Sequence, residues 1–173
     1  MAWSQEYADT PLATPVFASE ISQEGFLTAA PIPAYWQPGM SLILTGPCGR
    51  GFELPVGIRH LAVASLGDSI ARLLPLILDS SVQGRSVAVF ANCRLPSLPA
   101  EIEINPLDAL PTILDWADFL VGELPLEQLN EFKTNLKTLG NERISRIPGQ
   151  VLVVTDMPCA GVSECGACSF LLG

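Results

Sequence analysis

Cys159, Cys165 and Cys168 fall within ten residues of one another near the end of the 173-residue chain, spaced C-x5-C-x2-C. Thiolates that close in sequence can turn inward on one centre, and soft sulfur donors select zinc or an iron–sulfur cluster. Three ligands leave a coordination position open. Cys48, Cys93, His60 or a residue of another chain must fill it if a metal is held, and the remaining reading is a tail of free thiols. His60 is the only histidine, and its place at the start of an apolar run suits a structural role better than ligation or acid–base work. Cys93 follows another such run and reads as a small core residue before it reads as a ligand. With one histidine, no Ser-His-Asp or Cys-His arrangement can be assembled, and there is neither an H-E-x-x-H pair nor a P-loop. Hydrolytic and phosphoryl-transfer enzymes are therefore not expected.

The whole-chain properties narrow the setting of these thiols. A hydrophobic content of 49% over 173 residues suffices for a buried core. Nine basic against eighteen acidic residues give a net charge of −9, which repels nucleic acid phosphates and anionic membranes alike. No apolar run is long enough to span a bilayer, and the opening MAWSQEYADT lacks a basic leader and an apolar stretch. The expected location is the cytoplasm. In that reducing setting five cysteines, an odd number, suit thiols or metal ligands rather than a disulfide framework.

The elements that must position the thiols can be read from apolar periodicity. Prolines 11, 15, 31, 33 and 38 rule out long helices in the first forty residues, where PVFAS and GFLTAA, separated by SQEG, predict a hairpin. HLAVAS (60–65) is a continuous apolar run suited to a buried strand, and DSIARLLPLILDSSVQ predicts a helix with Asp68 as its N-cap. SVAVFA (86–91), ADFLVGEL (117–124) and QVLVVTD (150–156) predict three more strands. PLEQLNEFKTNLKTLG predicts a helix opened by Pro125 and closed by Gly140, and residues 97–111 an irregular connection with a short edge strand. Alternating strands and helices imply an α/β fold, a parallel sheet with helices on both faces. Ligands of such sheets sit beyond the carboxyl ends of the strands, so the turns after 65, 91, 122 and 155 are the places to look for chemistry.

Four segments in order carry a resemblance to a known family. QPGMSLILTGPCGRGFELP (37–55), HLAVAS with its helix, DFLVGELPLEQLNEF and VLVVTDMPCAGVSECGACSF resemble the electron-transfer subunits of dihydroorotate dehydrogenase, in the ferredoxin reductase-like family. The resemblance implies a division into a truncated β module (1–55) left from a flavin-domain barrel, a nucleotide-binding-type α/β domain (56–156) and a cluster-binding tail (157–173). It further implies electron transfer through a [2Fe-2S] cluster on Cys159, Cys165 and Cys168, with Cys48 of the GPCGRGF loop as the preferred fourth ligand. Gly46, Gly49, Gly51 and Phe52 of the same loop correspond to flavin-contacting positions, and a partner subunit of a redox complex, or a second copy, is implied as well.

The sequence departs from that family at both of its other cofactor sites. About forty residues before GPCGRGF are too few for a complete flavin barrel, so stoichiometric FAD is not expected. Ser65-Leu66-Gly67-Asp68 replaces the glycine-rich turn, and Gly122-Glu123-Leu124 stands where Cys-Gly-Pro is expected. Asp68 and Glu123 are expected on one rim, opposing dinucleotide phosphates, so NAD is not expected either. The alternative function is a non-redox binding or assembly module whose tail is empty or holds zinc. Tyr35 and Trp36 are expected to plug the β remnant, and Trp116 and Phe119 to pack in the core.

Overall fold

The computed structural model describes residues 2–3, 14–46, 51–138 and 147–155. Cys48, Gly49, Cys159, Cys165 and Cys168 lie outside the described residues, as does Gly140.

Apolar runs at 60–65, 86–91 and 119–125 become β5 (His60–Ser65), β6 (Ser86–Ala91) and β8 (Phe119–Pro125), and with β7 (Glu103–Asn105) and β9 (Gly149–Val154) they form one sheet in the order β7-β6-β5-β8-β9. Every neighbouring pair is parallel. Burial on both faces explains why the central strands read as unbroken apolar runs. Leu61, Val63, Val87, Val89, Phe119 and Val121 point to one face, where α1 (Leu74–Val82) covers them with Ile77 and the preceding Ile70 and Leu73. Ala62, Ala64, Ala88, Phe90 and Leu120 point to the other, against Leu107, Leu110, Trp116 and Ala117 around the short α2 (Leu110–Ile113). Small alanines on that face let Leu110 and Trp116 approach closely. On the same face α3 (Leu129–Thr138) buries Leu129 and Phe132 against Leu124, Val151 and Val153.

Two elements begin elsewhere than the sequence pattern indicates. The helix expected from Asp68 starts at Leu74, because residues 69–73 first form tight turns: Ser69 Oγ accepts the Ala71 N–H at 3.1 Å, and the Leu73 N–H donates to the Ile70 carbonyl at 2.9 Å. Pro75 then fits the first helical turn, where a missing N–H costs nothing. The helix stops at Gln83, and Gly84, at φ +78°, takes the left-handed conformation that returns the chain to β6. The helix expected from Pro125 also starts later, since Pro125 still pairs with Val154 as the last residue of β8 and a single 3-10 turn, Leu126–Gln128, precedes α3.

Outside the sheet, β2 (Ala18–Ile21) and β3 (Phe26–Thr28) form the hairpin foreseen around SQEG, closed by the Ser22 N–H donating to the Gly25 carbonyl at 2.8 Å. A second small antiparallel pair joins β1 (Ala2–Trp3) to β4 (Ile43–Leu44). These pieces match the expected β remnant. Tyr35 and Trp36 meet edge to face, 6.4 Å between centroids, but Tyr35 is exposed and plugs no interior.

Candidate functional site: a closed strand crevice

The strand order reverses between β5 and β8, and in open parallel sheets the crevice beyond the carboxyl ends at such a reversal is where ligands bind. Here the Glu123 side chain takes up space beside the turn that follows β5. The Leu66 N–H donates to the Glu123 carbonyl at 2.9 Å, and Ser65, itself buried, donates through Oγ to the Ser69 carbonyl at 3.2 Å. Gly67 lies against the Glu123 carboxylate, whose Oε1 would stand 3.7 Å from a Cβ added there. The Glu123 side chain is 1% exposed and is ion-paired through Oε1 with Nη1 of Arg72, whose side chain is 10% exposed.

This pair corrects the expectation of a charged rim. Glu123 is not a carboxylate open to solvent beside Asp68. It is an interior group, answered by the buried guanidinium of Arg72. Burial pushes its carboxyl above the usual carboxylate range, and Arg72 pulls it part of the way back. Arg72 is held on its other side by the Phe17 ring, 5.4 Å from the guanidinium carbon, which ties the N-terminal hairpin region to the crevice. Sequence reasoning missed Arg72. The available signal was two opposite charges, each alone in an apolar segment, at IARLL and VGELP.

Cys93 follows β6 and is half-buried. Burial is the main push that raises its thiol, the negative charges of Glu123 and Asp68 add to it, and its own and the Ile70 backbone N–H groups oppose them. Asp68 and Glu123 thus do bear on one spot, but through a half-buried thiol rather than an open pocket. Cys93 packs against the α1 core, as expected.

At the opposite, amino end of the strands His60 has the structural role foreseen. Its Nδ1 lies 3.3 Å from Asp118 Oδ2, and its ring lies 4.8 Å from Trp116. The same Asp118 oxygen accepts the backbone N–H groups of Arg59 at 2.9 Å and His60 at 3.0 Å, and these two bonds hold the Asp118 carboxyl below the usual range. Phe119 is a core residue, and Trp116 packs half-buried over His60. Of the two described candidates for a fourth metal ligand, Cys93 follows the carboxyl end of β6, on the side from which the chain runs on from β9 towards Cys159. His60 stands at the other end. No group of three or more His, Cys, Asp or Glu side chains placed to hold a metal ion occurs among the described residues.

The loop glycines are divided. Gly46 lines an open groove of about 610 Å³ with Val16, Ile21, Phe26 and Leu44. Gly51 and Phe52 instead line a cavity of about 570 Å³ between β2, α1 and β9, shared with Phe17, Arg72 and Leu152. Ala18 of β2 borders both spaces.

No protein-family model and no curated protein matches the chain. Among solved structures, the NADPH-dependent glyoxylate/hydroxypyruvate reductase of Sinorhizobium meliloti, crystallised with NADP and sulfate, is similar over 45% of this chain and 23% of its own, at 22% identity and a TM-score of 0.32. This chain spans about a quarter of that reductase's length, and a likeness at this level carries no functional argument.

Proposed function

We propose that the chain is an iron–sulfur electron-transfer subunit with no dinucleotide chemistry of its own, working beside a partner that carries the flavin or substrate reaction. The closed crevice is the observation that supports this reading. A dinucleotide needs a tight turn that opens directly onto a helix N-terminus with free N–H groups. Here α1 starts nine residues after the end of β5, with Pro75 in its first turn, and the Glu123 side chain fills the space beside Gly67. With that site closed, the redox-capable part of the chain is the cysteine segment. The donor set of Cys159, Cys165, Cys168 and Cys48 is all thiolate, which fits a [2Fe-2S] cluster. Such a cluster supplies one-electron transfer.

The decisive experiment is anaerobic purification followed by iron, acid-labile sulfide and zinc analysis. About two irons and two sulfides per chain are expected, with visible absorbance that bleaches under dithionite and is lost in Cys165→Ser. Calorimetric titration with NADH should show no micromolar binding, and no flavin should co-purify at one equivalent. Iron-free protein from anaerobic cells would overturn the reading.

A second reading has its own support. Ile21, Phe26, Leu27 and Leu44 of the hairpin and β4 are exposed, a disposition that suits a binding or assembly module. One equivalent of zinc, or no metal, combined with a stable complex in pull-downs, would favour that module.

A further inference from the structure

The β2–β3 hairpin carries apolar side chains on both of its faces. Ile21 pairs with Phe26 across the strands, and both line the open groove of about 610 Å³ that Leu44 borders from β4. The next pair, Glu20 with Leu27, turns to the other face, because successive strand residues alternate, and there a smaller depression of about 220 Å³ is edged by Glu20 and Glu24. Ile21 is 76% exposed and Leu27 62%, so neither face is filled by the described residues. β3 is exposed throughout and pairs with β2 alone among the described residues, whereas the β2 side is engaged, with Phe17 lying on Arg72. The free edge is that of β3, Phe26-Leu27-Thr28, and it has none of the charges or prolines that usually guard an edge.

The charge of this region is one-sided. Residues 1–49 hold Glu6, Asp9, Glu20 and Glu24, while all nine basic residues of the chain come at Arg50 or later. Glu20 and Glu24 are exposed, and neither is ion-paired among the described residues.

We propose that the hairpin binds an extended segment of a partner protein, laid along β3, in which apolar residues alternate with lysine or arginine. A strand has a two-residue period, so its apolar side chains enter the groove of Ile21, Phe26 and Leu44 while its basic side chains fall on the opposite face. There the aliphatic stem of a lysine covers Leu27 and its ammonium reaches Glu20 or Glu24. β3 offers only three residues of backbone, so these side chains set the affinity more than the added strand's hydrogen bonds do. Acidic segments, nucleic acid and anionic lipid meet repulsion at the same place. This partner chemistry rests on the reading of the chain as a binding or assembly module and names what its exposed hairpin takes.

The full chain is titrated into fluorescein-labelled Leu-Lys-Val-Lys-Leu-Lys-Val, with binding read by anisotropy. Saturable binding is expected, at least about tenfold tighter than for the same peptide with glutamate in place of lysine, or for Leu-Val-Leu-Val-Lys-Lys-Lys, which keeps the composition and loses the alternation. Ile21→Ser should weaken it at least about tenfold. Glu20→Lys with Glu24→Lys should reverse the preference toward the glutamate peptide. Glu103→Lys with Glu127→Lys, the same charge change at exposed sites on β7 and before α3, should leave affinity within about twofold of wild type. Absence of saturable binding, equal affinity for the alternating and rearranged peptides, an unreversed preference in the hairpin charge swap, or an equal effect of the swap at Glu103 and Glu127 would each overturn the assignment. So would a wild-type dimer in sedimentation that Ile21→Ser dissociates, which makes the occupant a second copy, or tighter binding to phosphatidylserine vesicles than to the peptide. A pull-down complex that Ile21→Ser abolishes, found without any peptide preference, keeps the module reading and overturns the partner chemistry alone.

Discussion

Arg72 and Glu123 should respond to mutation as one unit, since each is buried and each is the other's counter-charge. Arg72→Met alone is expected to cost about 3–5 kcal/mol, because the carboxylate it leaves has no water to turn to. Adding Glu123→Leu should bring the loss back to within about 1 kcal/mol of wild type, since well-packed apolar replacements of a buried pair are often neutral. Urea unfolding of the two variants measures the difference directly, and equal destabilisation of single and double variants would show that the pair is not coupled. Asp118 gives a contrasting, pH-dependent case. Its folded pKa lies below the unfolded value, so its contribution is present above about pH 4 and fades as the pH falls through the folded value. Asp118→Ala should therefore destabilise by about 1 kcal/mol at pH 7, a modest figure because the site is half exposed, and by less at pH 3. At this scale the sequence was legible for His60 and Cys93, whose flanking runs foretell their environments. It was not legible for Glu123, because the residue that decides its environment is 51 positions away.

Strands were read more accurately than helix starts, and the reason is physical. β5 and β6 are buried on both faces, so their limits coincide with the limits of their apolar runs. The start of α1 was instead decided by competition: Ser69 caps the turn over Ala71 locally, and the helix that Asp68 could have capped begins only where Pro75 favours it. β9 shows how narrowly an element can be specified. A Cβ added at Gly149 would stand 2.5 Å from the Leu120 carbonyl oxygen, a backbone atom of the neighbouring strand that cannot move aside cheaply. Gly149→Ala is expected to lower stability by about 1–3 kcal/mol. Hydrogen exchange should show the loss first in β9, and protection equal to wild type there would contradict the close approach.

For the molecule as a whole, the α/β class and the parallel sheet followed from strands alternating with helices, and the N-terminal hairpin from PVFAS and GFLTAA around SQEG. What the sequence withheld was how the hairpin region meets the sheet, through Phe17 on Arg72 and a cavity floored by β9, because such contacts leave no periodic trace. Among the described residues, no helix is long and apolar enough to cross a membrane. Among the described residues β7 and β9 are the outer strands of the sheet, and β7 is only three residues long, with Glu103 exposed at its head and Asn105 donating to the Glu103 carboxylate at 3.2 Å. An edge this short and charged is a poor template for a neighbouring chain's strand, although Ile104 is exposed between the two polar residues. Glu103→Val would remove the only charge from β7 and leave a bare apolar border that continues through Ile104, with the paired β6 beneath it. Light scattering of concentrated solutions should then rise over days in the variant and stay flat in the wild type, so that one exposed carboxylate decides whether the folded protein keeps to itself in storage.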